Sequence, residues 1–281
     1  MMSQKIFMRR SIYGKLISFN NVSETSKCVI NNVRFESTVD PKEIEFFSKM
    51  NNEWWDPNGH LRLLHLLNPN RVKFVRDGLA NTGMIKGDTS LPLKGTKIVD
   101  VGCGGGILSE PLARIGAEVT GIDTSAQLID IAKKHALLDS DLLGRLNYVQ
   151  TDIETFEKEN KEKYEAVVAS EVIEHVNDPQ LFLKCCSAIV KPGGSLFITT
   201  PNRTLLSWMS VICAAEYLLK IVPVGTHEWN KFIPPEEVQR WLENYGLKTK
   251  LIHGLMYNPL KREWIWSSNT TMFYALHAYK K

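Results

Sequence analysis

The chain has 281 residues, 43% of them hydrophobic, and a formal net charge of +3. That length can bury a full core, and the near-neutral balance excludes the broad basic footprint of a nucleic-acid binder. The cysteines at 28, 103, 185, 186 and 213 lack zinc-site spacing, and the simplest reading is reduced thiols in a reducing compartment.

The charge is placed unevenly. Residues 1–35 hold Lys5, Arg9, Arg10, Lys15, Lys27 and Arg34 against Glu24 alone, with Ile, Phe and Leu interspersed. That pattern predicts a mitochondrial transit peptide, and Arg34-Phe35-Glu36-Ser37 predicts processing after Phe35. The competing reading is a basic tail without an address.

The remainder, 36–281, reads as one domain. Residues 36–95 form a helical cap and loop. Within it, Glu53-Trp54-Trp55-Asp56-Pro57 reads as a turn, and Pro69 of Asn68-Pro69-Asn70-Arg71 is expected to open a helix at its first position, with Arg71 in the first turn. Residues 96–200 alternate strand and helix. Strands are expected at 97–101, 117–122, 146–150, 164–170 and 194–199, with helices at 106–115, 125–137 and 178–190. Right-handed crossovers between them give a doubly wound, mostly parallel α/β sheet. Residues 201–234 are an apolar insertion, and 235–281 add a helix and two strands, 247–253 and 271–279.

Three strands end in acids: Asp100, Asp123 and Asp152. The first runs into Gly102-Cys103-Gly104-Gly105-Gly106, a turn that lets backbone approach a ligand at the carboxyl end of a strand. The spacing is not that of a dinucleotide fingerprint, although a nicotinamide-type domain is the alternative, and no phosphate-loop lysine follows. Acids without a phosphate cradle suit a cationic ligand, and S-adenosylmethionine fits. Asp123 falls where a ribose diol would sit. Asp152 is either near the adenine or a solvated loop acid.

After the fourth strand comes Ser170-Glu171-Val172-Ile173-Glu174-His175. On a helical turn Glu171, Glu174 and His175 would share a face. Two carboxylates and an imidazole suit a divalent ion, Mg²⁺ or alternatively Mn²⁺ or Zn²⁺. The other reading is a metal-free loop in which the acid and imidazole give order or His175 acts as a base.

Asp100–Gly106, Gly121-Ile122-Asp123 and Lys191-Pro192-Gly193-Gly194 resemble the Rossmann-like S-adenosylmethionine-dependent methyltransferases. The segments Glu53–Asp56, Leu67–Arg71, Glu171–Asp178, Ala215-Glu216-Tyr217 and Gly225-Thr226-His227 narrow the resemblance to the ubiquinone-biosynthesis O-methyltransferases, over nearly all of residues 40–281. The resemblance implies a seven-stranded sheet with an antiparallel last strand. It implies cofactor contacts at Arg71, Gly102, Asp123 and Ser170, catalytic Glu171 and His175, and a metal site at Glu171, Glu174 and His175. Its substrates are 3,4-dihydroxy-5-polyprenylbenzoate and demethylubiquinol. Its setting is the matrix side of the mitochondrial inner membrane, peripherally bound, within a multi-subunit coenzyme Q biosynthetic complex and without nucleic acid. Trp54 and Trp55 read as core packing. His227 reads as a lid, substrate or structural histidine. A non-catalytic subunit binding the donor or a quinone lipid, and a carbon methyltransferase of the same pathway, are the competing functions.

Leu205 to Val224 is almost continuously apolar, but Glu216 and Lys220 interrupt it and Pro223 ends it. A membrane span is therefore not expected. The segment reads either as an interfacial helix or as a buried lid over the substrate cleft.

Overall fold

A computed structural model describes residues 37–48, 53–85, 90–207 and 229–281. The expected transit segment, His227 and most of the apolar insertion lie outside the described residues.

The sheet has eight strands in the order β3-β2-β1-β4-β5-β8-β6-β7. They are β1 (Lys97–Val101), β2 (Glu118–Asp123), β3 (Leu146–Gln150), β4 (Tyr164–Ser170), β5 (Val190–Pro201), β6 (Leu247–Asn258), β7 (Glu263–Ser267) and β8 (Phe273–Lys280). β1 to β5 pair in parallel, whereas β8 runs antiparallel to both β5 and β6, and β7 antiparallel to β6. The expected antiparallel closing strand is present. The extra strand is β7, a hairpin partner of β6 in Glu263-Trp264-Ile265-Trp266-Ser267. Lys191-Pro192-Gly193-Gly194 lies within β5 at a break in register between Tyr164↔Val190 and Ala166↔Ser195.

Helices cover both faces, which is why the central strands are apolar on both sides. Val99 and Val101 join Val167 and Ala169 on one face, against α5 (Ile153–Asn160), α6 (Pro179–Ile189) and α8 (Pro235–Asn244). Ile98, Ala166 and Val168 point the other way, against α2 (Arg62–Asn81) and α3 (Ser109–Arg114). The period-two alternation of β1 therefore feeds two cores. α4 (Ala126–Ala136) starts at Ser125, whose side chain accepts from Leu128 N. α1 (Pro41–Ser48) precedes the Trp-Trp turn, and a short helical turn, α7 (Leu205–Ser207), leads into the insertion.

The structure corrects the expected placement of Pro69 and Arg71. Pro69 lies inside α2, not at the start of a helix. The proline ring withholds the N–H that would have bonded the His65 carbonyl. One residue back, the Leu64 carbonyl accepts from Arg71 Nη2 at 3.1 Å, so a side chain supports the backbone at this interruption. Packing then carries the helix through, since Leu67, Phe74, Val75 and Leu79 are all buried.

β8 contributes a buried titratable group. His277 is 1% exposed, stacks on Phe197 with ring centroids 4.4 Å apart, and places Nε2 3.0 Å from Ser195 Oγ. Burial first, and Lys250 second, bring its pKa down from 6.5 to about 4. The unfolded chain therefore takes up a proton before the folded one does. Stability is full above pH 6.5 and falls as the pH drops toward 4, by up to about 3 kcal/mol. Denaturant titrations across that range are expected to show this loss, and the His277→Gln variant is expected to lack this component.

Candidate active site

The site is a cavity of about 420 Å³ at the carboxyl ends of β1, β2 and β4. That is the crevice where ligands bind in open α/β sheets. β1 leads into the glycine turn, which is pinned to β2 through Gly102 N and Cys103 N, both donating to the Ile122 carbonyl at 2.8 and 3.0 Å. Gly102 has φ +69° and a Cβ there would lie 2.6 Å from Val172; Gly104 has φ +54° and a Cβ would lie 2.3 Å from the Trp54 ring. Both positions need glycine for backbone conformation and for space.

Asp123 closes β2 and organises the turn. Its Oδ2 accepts from Gly104 N at 2.9 Å and its Oδ1 from Ser125 N at 2.8 Å. Burial raises its pKa, and these backbone amides pull it back down. Asp100 is 2% exposed and accepts from Ser109 Oγ at 2.6 Å, tying β1 to the start of α3. Burial lifts its pKa to about 6, while Ser109 and Arg71 oppose the rise. Burial also raises the Cys103 thiol, so this residue is a small wall of the site and no thiolate nucleophile.

Arg71 is brought to the same place from α2. It is 5% exposed, donates from Nη1 to Ser170 Oγ at 3.2 Å and from Nη2 to Asn68 Oδ1 at 2.9 Å. Burial lowers its pKa to about 10, with Glu171 and Asp100 acting in the other direction. Ser170 Oγ also lies 2.7 Å from Thr199 Oγ1. The four expected cofactor positions, Arg71, Gly102, Asp123 and Ser170, thus line one cavity. Sequence reasoning did not single out Asn68, which orients Arg71 and also donates to the Ile107 carbonyl at 2.6 Å. Its signal was present in the Leu67–Arg71 segment.

Asp152 also lines the cavity, but it serves as the N-cap of α5, accepting from Thr155 N at 2.6 Å. Trp54 is 7% exposed and packs with Leu61, Ile107 and Leu128, as expected of a core residue. Trp55 Nε1 donates to the Gly105 carbonyl at 3.0 Å, and its ring stacks on His135.

The second cluster departs from the expected geometry. Glu171 sits at the end of β4 with φ +57°, and only Ile173–His175 form a single 3₁₀ turn. The three side chains therefore do not share a regular helical face. Glu174 turns inward, 2% exposed, and accepts from Thr200 Oγ1 at 2.9 Å. Burial and the neighbouring Glu171 raise its pKa well above the usual carboxylate range. His175 Nδ1 instead lies 3.1 Å from Glu43 Oε2 of α1. Among the described residues no three His, Cys, Asp or Glu side chains converge on a metal position. A left-handed backbone at a non-glycine residue costs on the order of 1–3 kcal/mol and is retained mainly at functional sites. Glu171 N donates to the Thr199 carbonyl at 2.8 Å, which fixes that conformation.

The family described as "Methyltransferase domain" matches residues 70–251. The rat ubiquinone biosynthesis O-methyltransferase, mitochondrial, is 47% identical over 86% of this chain and 70% of its own length. The human protein of the same name is 45% identical over 87% of this chain, which spans 66% of that protein's length. The ubiquinone biosynthesis O-methyltransferase of Coxiella burnetii is 40% identical over 85% of this chain and 95% of its own length. Among solved structures, magnesium protoporphyrin IX methyltransferase from Synechocystis with bound S-adenosylhomocysteine shares the fold at TM-score 0.59 and 19% identity, over 85% of this chain and 98% of that one. A donor crevice built at the expected positions and relatives 40–47% identical lead to one assignment: the chain belongs to the ubiquinone biosynthesis O-methyltransferases, which are S-adenosylmethionine-dependent enzymes.

Proposed function

We propose that the chain moves the methyl group of S-adenosylmethionine onto ring hydroxyls of 3,4-dihydroxy-5-polyprenylbenzoate and of demethylubiquinol. The observation that carries this reading is the double character of one cavity. Asp100, Asp123, Glu171 and the buried Arg71 suit a zwitterionic sulfonium donor, whereas Leu63, Leu67, Tyr257, Trp264 and Phe273 supply an apolar wall for a prenylated ring.

The chemistry follows from those groups. The ring O–H gives its proton to His175 or Glu171. The oxygen electron pair forms the bond to the methyl carbon as the carbon–sulfur bond breaks, leaving a neutral thioether. Glu43 beside His175 Nδ1 orients the imidazole. Most of the rate comes from holding oxygen, methyl carbon and sulfur in line.

A divalent ion is the finer part of the reading. Glu171, Glu174 and His175 would hold it, and when bound it would lower the pKa of a coordinated hydroxyl. Its support is a buried Glu174 Oε1 that has no hydrogen-bond partner, next to a second acid. Ion binding would compete with the Thr200 and Glu43 hydrogen bonds. Methyl transfer to a short-chain catechol that stops with EDTA and returns with Mg²⁺ supports the ion. Transfer indifferent to chelator removes the ion and leaves the methyltransferase reading.

The relatives named mitochondrial support a mitochondrial site of action. We place the chain peripherally on the matrix face of the inner membrane, within a multi-subunit coenzyme Q assembly, because a polyprenyl substrate resides in lipid. Among the described residues no helix is long and apolar enough to cross a membrane. Leu205, which opens the apolar insertion, is 72% exposed. Flotation with cardiolipin vesicles is expected for the chain and is expected to fail for Leu218→Glu with Leu219→Glu. Equal flotation counts against a lipid-facing insertion.

A further inference from the structure

The β6–β7 hairpin rises above the rest of the sheet beside the cavity. β8 pairs with β6 only as far as Leu255↔Phe273, level with Pro201 at the carboxyl end of β5. The hairpin continues through Met256↔Ile265, Tyr257↔Trp264 and Asn258↔Glu263, a projection of about 10 Å at ~3.4 Å per residue. Tyr257, Pro259 and Trp264 line the cavity, so it runs out along this hairpin toward the tip.

At the tip, Leu260 is 95% exposed and is followed by Lys261 and Arg262, both exposed. Glu263, 3.8 Å from Lys261, is the single acid of the tip. The tip is built, not slack. Asn258 Oδ1 accepts from Leu260 N at 3.0 Å and from Lys261 N at 3.2 Å. Trp264 Nε1 donates to the Leu63 carbonyl at 3.1 Å, and Asn70 Nδ2 donates to the Trp264 carbonyl at 3.2 Å, so α2 holds the hairpin upright. A single exposed leucine is ordinary on a protein surface. This one is held rigidly, at the mouth of a cavity, with two cations directly behind it. That combination suits a surface that is apolar within and anionic outside. Leu205, 72% exposed, leaves the same end of the sheet after β5.

We propose that the tip of the β6–β7 hairpin is a membrane contact, with Leu260 entering the acyl boundary of an anionic bilayer and Lys261 and Arg262 meeting its phosphates. The contact sets the mouth of the cavity against lipid. It deepens the membrane reading given above and rests on it, adding a second contact separate in sequence from the apolar insertion. The same placement gives a prenylated ring a route from lipid along Pro259, Tyr257 and Trp264, without its tail crossing water.

The test measures partition of the full chain onto phosphatidylcholine vesicles with and without cardiolipin. Leu260→Asp is expected to weaken binding to cardiolipin vesicles by about 10-fold or more, as for withdrawing one leucine side chain from an apolar phase. Lys261→Gln combined with Arg262→Asn is expected to weaken it by about 5-fold for each cation lost, and to lose less on neutral vesicles. Asparagine suits position 262 because Arg262 has φ +54°. Methyl transfer to a soluble short-chain catechol is expected to keep its unaltered rate in both variants, which reports an intact fold and site. Leu138→Asp is the control. Leu138 is 80% exposed just beyond α4, which starts at the carboxyl end of β2 and so ends on the far side of the sheet, and its vesicle binding is expected to be unchanged. Unchanged vesicle binding in Leu260→Asp, or an equal loss in Leu138→Asp, overturns the proposal. It does so while leaving the insertion in place if Leu218→Glu with Leu219→Glu still abolishes flotation. If the unaltered chain binds no vesicle, the membrane reading itself fails and the hairpin contact fails with it.

Discussion

Asp123→Ala is expected to weaken S-adenosylmethionine binding on the order of 100-fold or more. In the proposed donor complex its carboxylate accepts from both ribose hydroxyls, and each hydrogen bond to a charged group contributes about 1.5–3 kcal/mol. The loss has a second source. Asp123 accepts from Gly104 N and Ser125 N, so the same carboxylate sets the shape of the glycine turn and the first turn of α4. Asp123→Asn keeps the size and one acceptor oxygen, and its loss is expected to be smaller, about 10-fold. Calorimetric titration of the two variants checks the order, with thermal melts in the absence of ligand separating binding from folding.

Arg71→Met is expected to destabilise the fold by about 3–5 kcal/mol. The guanidinium is 5% exposed and interacts with Asp100 and Glu171, so its removal takes a positive charge from beside two acids. The deficit depends on pH with a defined sign. Asp100 already has its pKa raised from 3.8 to about 6, so its ionisation opposes folding above pH 6. Without Arg71 that pKa rises further. Lowering the pH protonates Asp100 in the folded variant while the unfolded chain is still ionised, which restores stability. Denaturation midpoints at pH 5 and pH 8 are expected to show a smaller deficit at the lower value. A deficit that grows on acidification would mean that Arg71 acts through something other than Asp100.

Much of this was legible in the sequence, for physical reasons that differ by element. β1, β2 and β4 are apolar on both faces and end in polar groups, and that pattern has few other homes in a soluble chain. The crevice followed from those strand ends and the glycine turn, and the family resemblance added Arg71, which α2 brings to the same cavity. α5 was missed because its eight residues offer only Ile153 and Phe156 as an apolar stripe, and its capping Asp152 looked like a ligand acid. β7 was missed because Trp264 and Trp266 declare an alternating strand only when β6 continues to Asn258 to pair with it. Pro69 misled because local chemistry favours a helix start, whereas the buried face of α2 on both sides of it favours continuity. The carboxylate–imidazole cluster was read as one helical face, which assumes regular dihedrals. Glu171 adopts φ +57°, held by the Thr199 carbonyl on the neighbouring strand, and no local pattern encodes a constraint that β5 supplies.

The most direct test of the account incubates the chain with methyl-labelled S-adenosylmethionine and a short-chain 3,4-dihydroxybenzoate analogue, and locates the label by mass spectrometry. The expected product carries the label on a ring oxygen, and Asp123→Ala suppresses its formation at limiting donor. Label on a ring carbon, or no transfer under conditions where the donor is bound, would contradict it.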